Sequence, residues 1–198
     1  MTADEPNGRS YNGRVTIGVL AVQGNFREHA ATLRRLGCDV REVRKAGELE
    51  GLDGLVIPGG ESTAFMRLMR WYGLDEAIRR FDRPIFGTCA GMIVLDRNHL
   101  GLVDLEVARN AFGRQVASFE TELDVDGEEE PVRAVFIRAP WIEDAGPGVD
   151  VLATVDGHPV LARQGRILVA AFHPELTEDT RLHERFLELV REESNVRT

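Results

Sequence analysis

Apolar residues in the first half of the chain follow two alternating patterns. One is a short continuous run of β-branched or apolar residues, which is typical of a strand covered on both faces. The other places apolar side chains at helical spacing, which is typical of an amphipathic helix. The runs that predict strands are residues 15–22, 40–43, 55–58 and 84–87, and those that predict helices are residues 26–36, 62–72, 74–81 and a run beginning at 92–95. This alternation predicts a parallel sheet with right-handed helical crossovers.

Two of the predicted helices have recognisable end residues. Gly37 follows the first helix at the position where a left-handed C-cap residue is expected. The second helix begins after the Pro-Gly-Gly turn at residues 58–60, and either Glu61 or Ser62 can cap it. These residues predict where the chain turns between strand and helix.

The second half of the chain has a different pattern, with strands separated by turn-rich segments. The predicted strands are residues 116–125, 131–137, 149–155, 159–162 and 166–171, and residues 181–190 form a closing amphipathic helix. We interpret this half as a mixed or antiparallel extension of the same sheet. The predicted fold is therefore α/β, a three-layer sandwich whose mainly parallel central sheet is flanked by helices and carries a small antiparallel extension.

Length and composition indicate one globular domain. The 198 residues are enough for a single core, which we assign to residues 15–198, and the polar stretch at residues 1–14 is predicted to be a disordered tail. The formal charge is −9 and the basic residues are scattered, so no nucleic-acid partner is expected. No apolar run approaches the ~20 residues of a spanning helix, so no membrane partner is expected either.

The two cysteines, Cys38 and Cys89, bear on the cellular compartment. Two cysteines in a chain that lacks a recognisable signal peptide are typical of reduced intracellular thiols. We therefore expect a cytoplasmic protein. The cysteines are fifty residues apart, and the spacing of Cys and His suggests no zinc site, so neither a metal nor another cofactor is expected.

The segment Gly-Thr-Cys-Ala-Gly at residues 87–91 has the pattern of a nucleophile elbow between a strand and a helix. Its glycines permit tight packing around a nucleophile held in a strained backbone conformation. An elbow projects its side chain above the carboxyl ends of the strands, where open α/β sheets place their sites. Cys89 is therefore the candidate nucleophile, although a buried structural cysteine in a glycine-rich turn is the alternative.

A thiol nucleophile needs a base, and the base needs an orienting group. His173 and Glu175 follow the predicted strand at residues 166–171, again at a strand end. Residues two apart in an extended chain point to the same side, so Glu175 can hold one ring nitrogen while the other faces Cys89. His29 and His183 lie on predicted helices and His99 and His158 in turns, so each of these is interpreted as a solvated or packing residue.

Hydrolysis at a carbonyl also requires donors for the developing oxyanion. Gly59 and Gly60, at the end of the third strand, can present backbone N–H groups where side chains would obstruct them. The N–H of Ala90 follows the nucleophile, as in other elbows. These three residues are the candidate oxyanion hole.

Six segments, in this order, resemble the class I glutamine amidotransferases, and more closely the glutaminase subunit family of pyridoxal 5′-phosphate synthase, called PdxT in bacteria and SNO in yeast. The segments are residues 21–29 (AVQGNFREH), 58–63 (PGGEST), 87–91 (GTCAG), 109–115 (RNAFGRQ), 135–140 (VFIRAP) and 173–177 (HPELT). The elbow and the His-x-Glu triplet are shared by many amidotransferases, whereas PGGEST, RNAFGRQ and FIRAP are more specific. The resemblance implies a flavodoxin-like, class I amidotransferase fold.

The same resemblance implies a site and an activity. It assigns a triad of Cys89, His173 and Glu175 that hydrolyses L-glutamine through a glutamyl thioester, with no cofactor. Glutamine would be held by residues in three segments, namely Gly60, Glu61, Ser62, Arg109, Ile137 and Arg138. An arginine can grip the α-carboxylate of glutamine, and Glu61 can receive its α-ammonium group.

The resemblance also implies a partner. Family members deliver ammonia through a tunnel to a synthase subunit that makes pyridoxal 5′-phosphate, in an assembly of twelve synthase and twelve glutaminase subunits. The oxyanion loop is organised by that partner. Gln23, with the neighbouring residues 25–29, is therefore a candidate for an interface or loop-switching role, although Gln23 also fits an ordinary turn residue.

The chain departs from the family pattern at the polar stretch before residue 14 and at Asp96-Arg97-Asn98, which is more charged than expected after an elbow helix. These departures put the local helix length and a partner contact in doubt. Two other functions remain open from the sequence. One is a stand-alone cysteine hydrolase or redox chaperone on a flavodoxin-like sheet, which the His173-x-Glu175 triplet disfavours, and the other is a binding protein that has lost turnover.

Overall fold

The computed structural model describes residues 14–109 and 118–196. The strands are β1 (Thr16–Leu20), β2 (Asp39–Val43), β3 (Gly54–Ile57), β4 (Ile85–Thr88), β5 (Leu105–Ala108), β6 (Ser118–Leu123), β7 (Val132–Ile137), β8 (Trp141–Ala145), β9 (Asp150–Val155), β10 (His158–Gln164) and β11 (Ile167–Ala170). The α-helices are α1 (Phe26–Arg35), α2 (Ser62–Trp71), α3 (Leu74–Arg79), α4 (Ala90–Leu95) and α5 (Arg181–Val196). Two 3₁₀ turns, Ala46–Leu49 and Pro174–Leu176, complete the secondary structure of these residues.

The central sheet has seven strands in the order β2-β1-β3-β4-β11-β10-β9. The first five are parallel, and β10 and β9 add antiparallel strands at one edge. The parallel strands β3, β4 and β11 are buried along their whole length, because neighbouring strands and helices cover them. The α/β fold class predicted from the sequence, a mainly parallel sheet with flanking helices, is confirmed.

The first half of the chain folds as its apolar pattern predicts. Each of the four strands and each helix lies within a few residues of its predicted position. Gly37 has a φ of 85°, as expected for a left-handed residue after α1. Glu61 caps α2 by accepting hydrogen bonds from the N–H groups of Thr63 and Ala64, so Ser62 is the first helical residue.

The second half differs from its prediction in how the strands pair. Only β9, β10 and β11 join the central sheet, whereas β5 pairs with β8 and β6 pairs with β7 in separate two-stranded sheets. The prediction that this half extends the same sheet is therefore wrong for β6 and β7. Exposed positions alternate with buried or half-buried ones along β6 and β7, so one face of each strand packs on the core and the other stays exposed. The sequence pattern also missed β5 and β8 altogether.

The closing helix α5 packs against the central sheet at β3. A Cβ atom on Gly54 would lie within 3 Å of side-chain atoms of Val190 and Phe186, so glycine lets the helix approach closely. The helix is longer than the predicted 181–190 and ends at Val196. Helix α2 packs against α3 and α4. The sheet is thus covered by helices, and its carboxyl edge carries the loops described below.

The predicted tail at residues 1–14 lies outside the described residues except for Arg14, which is exposed. Residues 110–117, which include most of the RNAFGRQ segment and the start of the predicted strand at 116–125, also lie outside them. No helix within residues 14–109 and 118–196 is both long enough and apolar enough to cross a membrane.

Candidate active site

Cys89 lies at the junction of β4 and α4, at the carboxyl edge of the sheet. Its backbone has a φ of 48° and a ψ of −106°, a conformation that non-glycine residues rarely adopt. The N–H of Cys89 donates to the carbonyl of Ala170 on β11 at 2.7 Å, which helps to hold this conformation. A strained residue between a strand and a helix is the geometry of a nucleophile elbow.

The glycines on both sides of Cys89 are required by close packing. A Cβ atom on Gly91 would lie 2.0 Å from the carbonyl oxygen of Ile57 on β3. A Cβ atom on Gly87 would lie 2.6 Å from the side chain of Leu95 and 2.9 Å from the backbone of Gly91. No side chain fits at either position unless the backbone shifts, so the glycines of the elbow motif allow β3, β4 and α4 to pack together.

His173 and Glu175 lie beside Cys89, after the end of β11. The Nδ1 atom of His173 is 2.7 Å from Oε1 of Glu175, and the ring also hydrogen-bonds the side chain of Cys89. Because Glu175 holds Nδ1, Nε2 is the ring nitrogen available to the sulfur. The backbone N–H of His173 donates to the carbonyl of Val135 at 2.8 Å, so strand β7 anchors His173. The structure therefore brings together the three residues that the sequence analysis selected.

Charge in this cluster depends on a balance between burial and pairing. Burial opposes a charge on the His173 ring, but hydrogen bonds to Cys89 and Glu175 outweigh it and raise the pKa of His173 to about 10. Burial also opposes ionisation of Glu175, but the neighbouring His29 and His173 outweigh it and lower the pKa of this carboxyl to about 2. At neutral pH, His173 is protonated and Glu175 is ionised.

We expect this ion pair to make folding stability depend on pH on both sides of a plateau. A lowered Glu175 pKa contributes stability above about 4.5 that is lost as the pH falls towards 2. A raised His173 pKa contributes stability below about 6.5 that is lost as the pH rises towards 10. The free energy of unfolding of Glu175→Gln, from urea denaturation, should fall below that of the wild type by about 3 kcal/mol between these limits. A difference that stays constant from about pH 3 to pH 9 would contradict the pairing.

The candidate oxyanion residues Gly59 and Gly60 lie in the loop between β3 and α2, next to the triad. A Cβ atom on Gly24 would lie 1.7 Å from the carbonyl oxygen of Gly59, so the turn after β1 packs directly on this loop. The Nε2 atom of Gln23 donates to the carbonyl of Glu61 at 2.6 Å. The side chain of Gln23 therefore ties the first turn to the oxyanion loop.

We expect Gly59→Ala to lower glutaminase activity about 10²-fold, the order of loss that follows a misplacement of about 1 Å. The added methyl group would lie 2.5 Å from Cε1 of His173 and 3.2 Å from Cβ of Cys89, so the imidazole must move away from the sulfur. Glutamate release at saturating glutamine measures the effect. Gly47→Ala is the matched control, since a Cβ atom there meets nothing within 4 Å. Equal losses in both variants would contradict the steric explanation.

A cavity of about 270 Å³ opens in front of Cys89. Its walls contain all six residues predicted to hold glutamine, the candidate nucleophile and two of the three oxyanion candidates: Gly60, Glu61, Ser62, Cys89, Ala90, Ile93, Arg109, Ile137, Arg138 and Pro140. Arg138 follows β7 with a φ of 44°, so its backbone is also in the left-handed region. A larger cavity of about 640 Å³ on the outer side of α2 also contacts Arg109 but contains neither Cys89 nor His173.

Two of the predicted substrate residues already have partners within the protein. The carboxylate of Glu61 caps α2, and the hydrogen bonds from the N–H groups of Ala64 and Thr63 lower its pKa. The Nη2 atom of Arg109 is 3.0 Å from Nε2 of His99. Both side chains line the cavity while these contacts are made, so their positions are set before any ligand enters.

The charged segment after α4, which departs from the family pattern, supports Arg109. Asp96 is almost fully buried, and its Oδ1 lies 2.7 Å from Nδ1 of His99 and accepts a hydrogen bond from the N–H of Asn98. Arg97 pairs with Asp104 and Asp144 on the surface. Helix α4 stops at Leu95, and the segment then forms an ion-paired turn that orients His99 towards Arg109.

The sequence analysis missed two residues that contact the triad. Asn25 precedes α1 without capping it, and its Nδ2 instead donates to Oε1 of Glu175 at 3.1 Å. His29 is fully buried on α1, with Nε2 3.2 Å from Oε2 of Glu175. His29 is therefore a buried residue that faces Glu175, and the interface or loop-switching role of residues 25–29 stays a prediction. No signal in the sequence pairs residues that are about 150 positions apart.

Two further features are the arrangement of potential metal-binding side chains and the state of the cysteines. No group of three or more His, Cys, Asp or Glu side chains within residues 14–109 and 118–196 is arranged to hold a metal ion. Both cysteines are free and buried.

The fold and this cavity together define the class of the protein. A mainly parallel sheet with a cysteine elbow and a His-x-Glu triplet at its carboxyl edge is the arrangement of a class I glutamine amidotransferase. The chain belongs to the SNO glutamine amidotransferase family, whose model matches residues 19–192. The resemblance seen in the sequence is confirmed.

Relatives named pyridoxal 5′-phosphate synthase subunit PdxT are similar over most of their length. The protein from Thermosipho africanus is 52% identical over 185 residues, covering 88% of this chain and 98% of the relative. The protein from Parafrankia sp. is 55% identical over 190 residues, covering 89% of this chain and 94% of the relative. The protein from Thermus thermophilus is 54% identical over 188 residues, covering 89% and 98%.

Solved structures agree with this assignment. A crystal structure of a glutamine amidotransferase superposes with a TM-score of 0.84 at 50% identity, covering 88% of this chain and 98% of the other. A glutamine amidotransferase from Thermotoga maritima superposes with a TM-score of 0.60 at 18% identity, covering 92% and 85%. At that lower identity the comparison speaks for the fold alone.

Proposed function

We propose that this protein hydrolyses L-glutamine to L-glutamate and ammonia, and that it passes the ammonia to a synthase subunit that makes pyridoxal 5′-phosphate. The observation that carries the proposal is the contact of Cys89 with His173, and of His173 with Glu175, at the mouth of the 270 Å³ cavity. Membership of the SNO glutamine amidotransferase family and the PdxT relatives support the same activity.

The first half of the reaction forms a thioester. The sulfur of Cys89 attacks the side-chain amide carbon of glutamine as a thiolate, with its proton held by His173. His173 then donates its proton to the amide nitrogen, and the C–N bond breaks so that the NH2 group leaves as ammonia. A ring with a raised pKa and a buried carboxylate partner suits the storage of that proton. Glu175 keeps the ring oriented and stabilises its charge throughout.

The second half releases glutamate. A water molecule loses a proton to the now neutral His173 and attacks the thioester carbon, after which the C–S bond breaks and the thiolate returns. Both attacks place negative charge on the carbonyl oxygen. We assign the stabilisation of that charge to backbone N–H groups of Gly59, Gly60 and Ala90, which lie next to Cys89 in the loop and the elbow.

We assign recognition of glutamine to Gly60, Glu61, Ser62, Arg109, Ile137 and Arg138, since all six line the cavity. The arginine side chains supply positive charge for the α-carboxylate, and the Glu61 carboxylate supplies negative charge for the α-ammonium group. The cavity volume of about 270 Å³ lies near the lower end of the range for small-molecule pockets, which suits a free amino acid.

We expect Arg109→Lys to raise the KM for glutamine about 10- to 100-fold with a smaller change in kcat. A lysine cannot reproduce the planar two-point contact of a guanidinium with a carboxylate, and such a contact contributes equally to the ground state and the transition state. Steady-state glutamate release gives both constants. Arg80→Lys is the control, because that side chain is exposed and lies outside the cavity. A loss confined to kcat would contradict the assignment.

We assign the partner contact to the region around Gln23 and the oxyanion loop, and we propose an assembly of twelve synthase and twelve glutaminase subunits. Gln23 is tied to Glu61, so a partner that displaces its side chain would move the loop that carries the oxyanion donors. We further propose a cytoplasmic location, which agrees with the free thiols of Cys38 and Cys89.

The test is a measurement of glutamate release from glutamine with and without a pyridoxal 5′-phosphate synthase subunit. Turnover that the synthase stimulates supports the proposal. In the same assay, esterase or peptidase activity that needs no partner would instead indicate a stand-alone hydrolase. Glutamine binding without turnover would indicate a binding protein. The synthase supplied with an ammonium salt should make product without this chain, because ammonia is all that the chain contributes.

A further inference from the structure

Two buried histidines lie behind the triad carboxylate, and the proposed reaction does not use them. His29 on α1 and His183 on α5 are both fully buried. The Nδ1 atom of His29 is 2.9 Å from Nε2 of His183, and its Nε2 is 3.0 Å from Oγ1 of Thr88 and 3.2 Å from Oε2 of Glu175. The contacts form a continuous line from Cys89 through His173 and Glu175 to the two rings.

The surroundings of the two rings are apolar. Phe86 on β4 makes edge contacts with both rings, at 6.3 Å from His29 and 5.8 Å from His183 between ring centroids, and it also packs on Phe186. Burial lowers the pKa of His29, and burial together with His29 lowers the pKa of His183 to about 3. Burial therefore favours the neutral form of both rings, in which each carries one N–H group.

The positions of these two N–H groups follow from the partners. Within the described residues, His183 Nδ1 has no hydrogen-bond partner, and neither does Glu175 Oε2 by strict geometry, although His29 Nε2 lies 3.2 Å from that oxygen. If His29 carries its proton on Nε2, that N–H faces Thr88 and Glu175. Its Nδ1 then accepts from Nε2–H of His183, and the unpartnered His183 Nδ1 is only a lone pair.

The opposite assignment is much less favourable. It would turn a lone pair of His29 towards the Glu175 carboxylate and leave an N–H of His183 buried without an acceptor. A buried donor without a partner loses its hydrogen bonds to water without compensation, and two facing acceptors repel each other. The arrangement of the rings therefore selects the Nε2–H tautomer at both positions.

We propose that His29 is a positioning residue that presents an N–H group to the second carboxylate oxygen of Glu175, and that His183 fixes the tautomer in which it can do so. Oε1 of Glu175 is held by His173 and Asn25, and the polar atom that lies 3.2 Å from the other oxygen is Nε2 of His29. A carboxylate restrained at both oxygens keeps the His173 ring aligned with Cys89. This inference rests on the proposed function.

The inference predicts an unusual order of activity among variants at His29 and His183. A leucine fills the apolar site but removes the donor, whereas the Nε2 atom of glutamine can replace Nε2 of histidine. We expect His29→Leu to lower kcat about 10²-fold with little change in KM, and His29→Gln to keep most of the activity. His183→Leu should lower kcat less than His29→Leu, because the His29 ring is then free to exchange tautomers. His183→Gln should restore a hydrogen-bond donor that faces Nδ1 of His29.

The pH dependence of kcat/KM distinguishes a positioning role of His29 from a packing role, because a change in packing alone would not shift it. Glu175 is faced by His173 and His29, and the other charged groups that act on the two buried rings are Glu28 and Arg35. Without the donor from His29, burial of Glu175 is less compensated, so the pKa of the carboxyl rises. The acid limb of kcat/KM should move to higher pH in His29→Leu and stay near the wild-type position in His29→Gln.

The experiment measures kcat, KM and the pH profile of the four variants with the synthase subunit, and thermal unfolding of each. A His29→Leu variant as active as His29→Gln, with the wild-type acid limb, would overturn the inference. A wild type without glutaminase activity would instead overturn the proposed function. Nitrogen-15 spectra of the histidine rings in the wild type need no variant to fold well, and a proton on Nδ1 of either buried ring would also overturn the inference.

Discussion

Cys89→Ala should lose glutaminase activity by about 10⁴-fold or more, because the thioester cannot form without the sulfur. The substitution leaves the backbone of the elbow and the packing of Gly87 and Gly91 unchanged, so the fold and the docking of the synthase should survive. Glutamate release in the presence of the synthase measures the loss. Co-purification with the synthase and thermal unfolding measure the parts that should not change.

Cys38→Ala is the matched control for that result. Cys38 is also a free, buried thiol, but it lies outside the cavity, between α1 and β2, and burial raises its pKa. Its variant should keep wild-type turnover. Retained hydrolysis in Cys89→Ala would show that another group attacks the amide. Equal loss in both variants would show that removal of a buried thiol damages the fold.

His173→Asn should lower kcat by about 10³- to 10⁴-fold, close to the contribution expected of a base that also acts as an acid. The asparagine amide can still donate a hydrogen bond to Glu175, but it cannot hold or release the proton that ammonia requires. The loss should fall mainly on kcat, because the imidazole does not line the glutamine cavity. Steady-state kinetics with the synthase subunit separate kcat from KM.

His158→Asn controls for the removal of an imidazole. His158 stacks on Trp141 at 3.5 Å between ring centroids, and neither of them lines the 270 Å³ cavity. The His158→Asn variant should keep full activity. Added imidazole should restore part of the turnover of His173→Asn if the vacated space admits a small base. A His173→Asn variant with unchanged kcat would exclude the proposed proton transfers.

The parallel half of the fold could be predicted from the sequence because its signals are local. A continuous apolar run such as β3, a glycine such as Gly37 and a cap such as Glu61 each act within a few residues of the chain. The partners of β5, β6, β7 and β8 could not be predicted in this way. Half-buried strands with the same alternating pattern can pair with the central sheet or with each other, and tertiary packing decides which.

In the candidate site, too, some features could be predicted from local sequence signals and others could not. Cys89, His173 and Glu175 stand in motifs whose spacing already implies their geometry, and the structure brings them together. The contacts of His29 and Asn25 with Glu175 depend on how α1 settles against the segment after β11. A histidine at a helical position has the same pattern whether it packs, ionises or faces a carboxylate, so the sequence left that choice open.

The place of β11 in the sheet ties activity to completion of the polypeptide. This strand lies between β4 and β10, and the chain reaches it and the His-x-Glu triplet only near its C-terminus. A nascent or truncated subunit that ends before β11 carries the thiol without its base, and the strand that receives the N–H of Cys89 is missing. We expect such a fragment to hydrolyse no glutamine, so that subunits still under synthesis release no free ammonia.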